Sequence, residues 1–353
     1  MNSISYRIEL EPLGDFFFGG ENTFGEGDGK NYFAKSNRFP QQSALLGMLR
    51  FELLKKKKLL PISQANMEKV KNFIGEKSFD FDRNSNKFEF GIIESISPVF
   101  LTNYNEDFIP APFDYKYKDS IKWHDHNRVY LAGNTKSRKL EIRSFDIKEH
   151  NNESQYKGTK HHIPHPESKF FKTNVKIGVN TIKSRNGNDD KEAFFKQEFI
   201  SLNNSLRFVF YAQLKEDIFG NSSDLLISLG GEQSMFRMKV KKAENTYEKE
   251  CRGLFDIRNK IVLISDTYVS SEQKNVLDNV ADFAWSDTVM FRSIKTSIKE
   301  MTDYANKPNK SEKIHLIKRG SVFYYSSDSN KDQIVQILKN KNLQRCGFNI
   351  YLD

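Results

Sequence analysis

Near the end of the chain, His315-Leu316-Ile317-Lys318-Arg319-Gly320-Ser321-Val322-Phe323-Tyr324-Tyr325 sets two cations beside a glycine and a serine, with an aromatic run behind them. The chemistry open to such a group is anion recognition. Lysine meets phosphate as a point charge and arginine as a bidentate fork. Gly320 lets the backbone approach a ligand closely or take a positive φ. Phe323, Tyr324 and Tyr325 alternate across a strand, so their rings face opposite sides. The segment reads in two ways. Exposed Lys318 and Arg319, with Ser321, hold an RNA backbone against a sheet; or the glycine makes a tight turn into a core strand and the two charges are merely solvated.

Three further basic groups can do similar work. In the basic segment Lys35–Arg38, Ser36 and Arg38 join Ser43 around the start of a predicted helix that also carries Arg50. Backbone N–H groups at a helix start form an anion site; the plainer reading makes Ser43 a cap and Arg50 a surface residue. Lys176, Asn180, Lys183 and Arg185 flank Gly178 and Gly187, as in a basic loop along RNA phosphates or a solvated hairpin. Gly230, Gly231 and Glu232 predict a turn that ends a short helix. A carboxylate repels phosphate, so Gln233 and Arg237 are the RNA candidates there and Glu232 organises the turn.

Catalysis and metal binding are the rival chemistries. His161, His162 and His165 cluster, with His124 and His126 upstream. Two or three of them suit zinc if the loop folds to bring them together, but no cysteine lies near. His161, His162 and Tyr32 are the candidate acids and bases of a metal-independent ribonuclease. Nothing in the spacing fixes two of them at hydrogen-bond distance. No Walker loop, Ser-His-Asp order or paired-carboxylate signature is present. The expectation is a chain without catalytic residues, metal or cofactor.

Composition points the same way. The 353 residues carry a net charge of +9, which favours polyanions such as RNA. The 30 Phe and 14 Tyr supply large apolar surfaces, suited to permanent assembly more than to a free-standing RNA binder. No apolar run approaches the roughly 18 residues that span a bilayer. The N-terminus lacks the order of a signal peptide. Two cysteines, Cys251 and Cys346, read as reduced thiols of a cytoplasmic protein.

The elements that position these residues follow from periodicity. Tyr6, Ile8 and Leu10 alternate in a first strand. Leu45, Leu46, Leu49 and Leu53 share a helical face closed by Lys55–Lys58. A strand region follows at Phe88–Phe100. Residues 103–170 crowd polar residues and prolines with weak periodicity and read as a long, partly mobile insertion. Val175–Val179, Glu192–Leu202, Arg207–Leu214 and Ser234–Val240 read as strands, with Ser222-Ser223-Asp224 capping a short helix between the last two. Strands at Ile261–Ser265, Val322–Tyr325 and Phe348–Leu352 and a helix at Lys331–Lys339 complete the chain. Each half begins strand, loop, helix, strand. The predicted fold is α+β: two ferredoxin-like, RRM-like βαββαβ domains, at 1–204 and 205–353, the first holding the 103–170 insertion.

Five segments, in order, resemble one family. FPQQSALLGMLR, Ile109-Pro110-Ala111-Pro112-Phe113-Asp114, IGVN with the following EAFFKQEFISL, LLISLGGEQSMFRM and LIKRGSVFYY are similar to the motifs of the third subunit of the type III-B (Cmr) CRISPR effector complex, a RAMP protein. The C-terminal glycine-rich loop of that family is reduced here to Cys346-Gly347-Phe348-Asn349, and Lys318-Arg319 replaces its proline-alanine pair. The resemblance implies two RAMP-type domains. It also implies a non-catalytic role in antiviral defence, holding the 5′ handle of the guide RNA. The partners it implies are that RNA, the large polymerase/cyclase-like subunit and the RAMP backbone subunits, with no membrane. Some RAMP relatives process guide RNA, which keeps an endoribonuclease as the alternative.

Overall fold

The computed structural model describes residues 3–24, 32–77, 79, 81, 89–115, 121–123, 130–132, 135–137, 140–142, 154–162, 164–181, 192–203, 205–244, 246–292, 294–295 and 309–353. Lys183, Arg185, His124 and His126 lie outside these residues, as do the side chains of Tyr32 and Asn180.

The first strand, Ile4–Pro12, alternates as its sequence dictates. Tyr6, Ile8 and Leu10 are fully buried, while Arg7, Glu9 and Glu11 point to the opposite face. The apolar side meets Leu45, Leu46, Leu49 and Leu53 of the helix Gln42–Lys56. This strand is central in a large antiparallel sheet. On one side lie Met235–Lys242 and then Ser222–Ser228; on the other lie Arg207–Leu214, Phe100–Thr102, Asp107–Pro110, Gln155–Gly158 and Pro164–Pro166. The division expected at 204/205 therefore falls within one sheet, because Arg207–Leu214 pairs with the first strand from Ile4↔Leu214 to Leu10↔Phe208.

A second sheet orders Phe283–Trp285, Val322–Tyr324, Lys260–Leu263 and Tyr351–Leu352. Helices Ser271–Val280 and Asp328–Leu338 cover one face through Leu277, Ile334 and Leu338. The other face supplies Val262, Val322 and Tyr324 to a core shared with Phe100, Val209 and Tyr211 of the large sheet. The two sheets are thus joined by apolar burial. A third sheet orders Phe171–Thr181, Glu192–Leu202, Tyr32–Asn37 and Phe18–Phe24. Among the described residues no helix is long and apolar enough to cross a membrane. Cys251 and Cys346 are both free and buried.

Three expectations are corrected. Ser222–Ser228 is an edge strand, not a capped helix: it pairs with Met235–Lys242, and pairing of an alternating segment overrides a capping signal. Gly230–Gly231 consequently belongs to a hairpin and not to a helix end. The 103–170 segment is no pure insertion. Asp107–Pro110, Gln155–Gly158 and Pro164–Pro166 extend the large sheet, and Phe108, Tyr156 and Phe170 enter its core. The first helix starts at Gln42, and its N-terminus has no side-chain cap, so Ser43 does not serve as one.

Candidate nucleic-acid interface

The Gly320 turn is built between the two sheets. Thr267 and Ile317 exchange backbone hydrogen bonds at 2.8 Å, and the Gly320 N–H donates to Leu263 O at 2.7 Å. Gly320 has φ +91°, and a Cβ there would lie 2.8 Å from the Phe113 ring and 2.9 Å from Ala111 O. Both conditions require glycine. Ser321 is fully buried; its hydroxyl donates to Lys318 O at 2.7 Å and closes the turn.

The two cations of this turn part ways. Arg319 was expected at the surface, but its guanidinium turns inward. It pairs with Asp266 (Nη2–Oδ2 2.9 Å, Nε–Oδ1 3.2 Å), donates to Val99 O at 2.9 Å and lies 5.1 Å from the Phe39 ring centre. Burial pushes the Asp266 carboxyl up, but the charge and hydrogen bonds of Arg319 pull it further down, to a net value below its ordinary range. Lys318 is half-buried and meets Asp287 at 3.6 Å. Of the pair, Lys318 alone is placed to meet a ligand.

Lys318 and Arg319 share a cleft of about 270 Å³ with Ser36, Arg38, Gln41 and Gln42. Two basic segments some 280 residues apart in sequence thereby converge. Arg38 pairs with Glu167, which also accepts from the Tyr156 hydroxyl at 3.0 Å. Ser36 is committed internally, accepting from Phe18 N at 2.9 Å and donating to Asn37 O. The uncapped start of the 15-residue helix Gln42–Lys56 opens on the same cleft, with no acidic residue in its first turn. Its amide groups and dipole favour an anion there. The Gln42 side chain turns away and donates to Ser97 O and Cys346 O at 2.8 and 3.0 Å, tying the helix start to the C-terminal segment.

The remaining candidates lie apart from this cleft. Arg50 is buried, not on the surface: it donates to Lys77 O and Glu89 O at 2.8 and 3.3 Å, and burial lowers its pKa to about 10. It ties the backbone at Lys77 and at Glu89 to the helix. Lys35 is exposed but does not line the cleft. Lys176 and Gly178 sit in the strand Phe171–Thr181 and not in a loop; Lys176 lies 3.5 Å from Asp15 and 4.0 Å from the Phe199 ring centre. Gln233 is exposed in the hairpin turn, and Arg237 meets Glu11 at 3.8 Å. Glu232 and Gln233 adopt φ of +53° and +54°, while Gly230 at +90° packs over Phe17 and Phe18.

His161 meets Glu106 at 2.9 Å, and His165 packs against Phe108 and Phe170. Among the described residues no three His, Cys, Asp or Glu side chains gather as metal ligands. Glu167, Asp266, Tyr156 and Phe39, which hold the cleft's arginines, were not singled out by sequence. Of the cleft's lining, Phe39, Pro40, Gln41 and Gln42 lay within a recognisable motif, FPQQS.

A family model described as CRISPR-associated protein (Cas_Cmr3) matches residues 8–352. No curated protein sequence matches the chain. Among solved structures, a chain of the type III-B Cmr-beta complex bound to cognate target RNA is similar at 14% identity and a TM-score of 0.53, and one from that complex with target RNA and AMPPnP at 14% and 0.50. Each alignment covers 98% of this chain and 96% of the other. At that identity the likeness is one of fold.

Proposed function

Since the chain belongs to the Cas_Cmr3 family of CRISPR-associated proteins, we propose that it is a non-catalytic, RNA-holding subunit of a cytoplasmic type III-B ribonucleoprotein. In this reading it grips the 5′ handle of the guide RNA and bridges the large cyclase-like subunit to the RAMP backbone. The observation that carries the proposal is the convergence of Arg38, Lys318 and an uncapped helix N-terminus on one cleft. Phosphate needs just such donors, and none of them requires a reacting group.

The reading includes two ferredoxin-like units and is supported by strand order. Met235–Lys242, Ile4–Pro12, Arg207–Leu214 and Phe100–Thr102 lie side by side as fourth, first, third and second strands. Tyr351–Leu352, Lys260–Leu263, Val322–Tyr324 and Phe283–Trp285 repeat that order. The first unit would then close at Lys242, with Ser222–Ser228 standing where a second helix is usual.

The test is to crosslink the assembled complex and sequence the RNA attached to this chain. The 5′ end of the guide should dominate; an even spread along the guide, or no RNA, sinks the proposal. One observation favours the endoribonuclease alternative: the exposed His161 is within hydrogen-bond distance of Glu106. Multiple-turnover cleavage of repeat RNA by the purified chain, abolished by His161→Ala, would establish that alternative.

A further inference from the structure

The outer face of the large sheet is only partly covered. Phe100, Val209 and Tyr211 are sealed by the second sheet. Beside them a separate polar cleft of about 460 Å³ stays open, lined by residues that include Arg7, Tyr104, Lys160, Arg207, Lys239 and Lys241. Its floor is rigid. Arg7 forks onto Asp107 at 2.8 and 2.6 Å and reaches Thr102 and the Tyr211 hydroxyl at 3.1 Å.

Tyr104 stands on this floor with 72% of its surface exposed. It is nonetheless fixed. The Asn103 side chain accepts from the N–H groups of Asn105 and Glu106 at 2.7 and 2.8 Å, which freezes the hairpin turn that carries the ring. Beneath the ring, the Arg207 guanidinium lies 4.3 Å from its centre and donates to its hydroxyl at 2.5 Å. Arg207 is itself buried and faces Glu9 and Glu11 at 3.5 and 3.7 Å. One face of Tyr104 is therefore stacked on a cation, and the residue lines the cleft with most of its surface open. An aromatic held this way has already lost its rotamer freedom, so stacking on it costs little further entropy.

The charges of the cleft divide unevenly. Asp107 is taken by Arg7, Glu9 faces Arg207, and Glu106 is engaged by His161. Lys160, Lys239 and Lys241 form no ion pair among the described residues, against the single further carboxylate of Glu250. A fixed ring beside cations matches an unpaired base with its flanking phosphates. We propose that Tyr104 is a stacking platform for one unpaired base of single-stranded RNA, with Lys160, Lys239 and Lys241 taking the adjacent phosphates. The proposal rests on the RNA-binding reading above but uses a different surface from the Arg38–Lys318 cleft.

The test titrates the full-length chain with a short single-stranded oligoadenosine RNA. Tyr104→Ala should weaken binding about tenfold, Tyr104→Phe should stay within about threefold of the native chain, and melting curves should show both variants folded, since the ring covers only the Arg207 guanidinium and its loss opens no core cavity. In Tyr104→Trp the indole emission should be quenched as the RNA saturates. Unaltered affinity in Tyr104→Ala together with no quenching, while the native chain binds RNA, overturns the platform and leaves the other cleft standing. Absence of any RNA binding by the native chain overturns both.

Discussion

The backbone N–H of Phe113 donates to the carbonyl of Gly320 at 2.8 Å. One residue later, Asp114 is fully buried and accepts from the Tyr324 hydroxyl and from Lys260 Nζ, the latter at 2.6 Å. The Pro-Ala-Pro-Phe-Asp segment and the Lys-Arg-Gly-Ser-Val segment are therefore two sides of one joint. It holds an extension of the large sheet against the second sheet. Most groups in both segments are committed to that joint, which limits the share of their charge left for any ligand.

Gly320→Val should destabilise the chain by about 2 kcal/mol or more, since it combines left-handed backbone with contacts under 3 Å to Phe113 and Ala111. Chemical denaturation measures this. A midpoint equal to that of the native chain would mean the turn can rearrange freely.

Arg319→Ala and Lys318→Ala should behave differently. The first leaves the half-buried Asp266 carboxylate without its partner at the cleft wall and should cost about 1–3 kcal/mol. The second should leave the melting curve nearly unchanged. If Lys318 meets one phosphate, the log–log salt slope of RNA binding should fall by about 0.7. An unchanged slope in a folded Lys318→Ala chain removes this lysine from the interface.

Acid should act through Asp266. Its folded pKa is depressed, so its contribution is complete above the unfolded value of about 4 and is lost as pH falls through the folded value. Stability measured between about pH 5 and 2 should decline, and less steeply in Asp266→Asn, which is already weakened. Parallel curves for the two chains would show that other carboxylates govern the loss.

Gln233→Gly should stabilise the chain by about 1 kcal/mol. Glu232 and Gln233 both occupy the left-handed region as the central pair of the turn closed by Ser234 N–H on Gly231 O at 3.2 Å, where glycine is preferred at the second position. Loss of RNA affinity in this more stable variant would show that the glutamine is kept for contact and not for folding. A lower melting temperature would contradict the strain argument.

Sequence alone determined the elements whose signal is local. Alternation of Tyr6, Ile8 and Leu10 specified a half-buried strand, and Leu45, Leu46, Leu49 and Leu53 specified the helix face laid on it. The family, too, was legible, because its motifs survive as short ordered segments over nearly the whole chain. Only the tertiary structure decided which strands share a sheet. Pairing of Ile4–Pro12 with Arg207–Leu214 joins residues about 200 apart, and no local pattern encodes such a partner. The same limit applied to charge. Arg38, Arg50, Lys318 and Arg319 are alike as sequence symbols, yet Arg50 is consumed by backbone carbonyls and Arg319 by Asp266 and Val99 O, while Arg38 and Lys318 each meet a single carboxylate at the border of an open cleft. A cation's availability depends on what lies within about 4 Å of it, and in a fold built from long-range pairings those neighbours come from elsewhere in the chain.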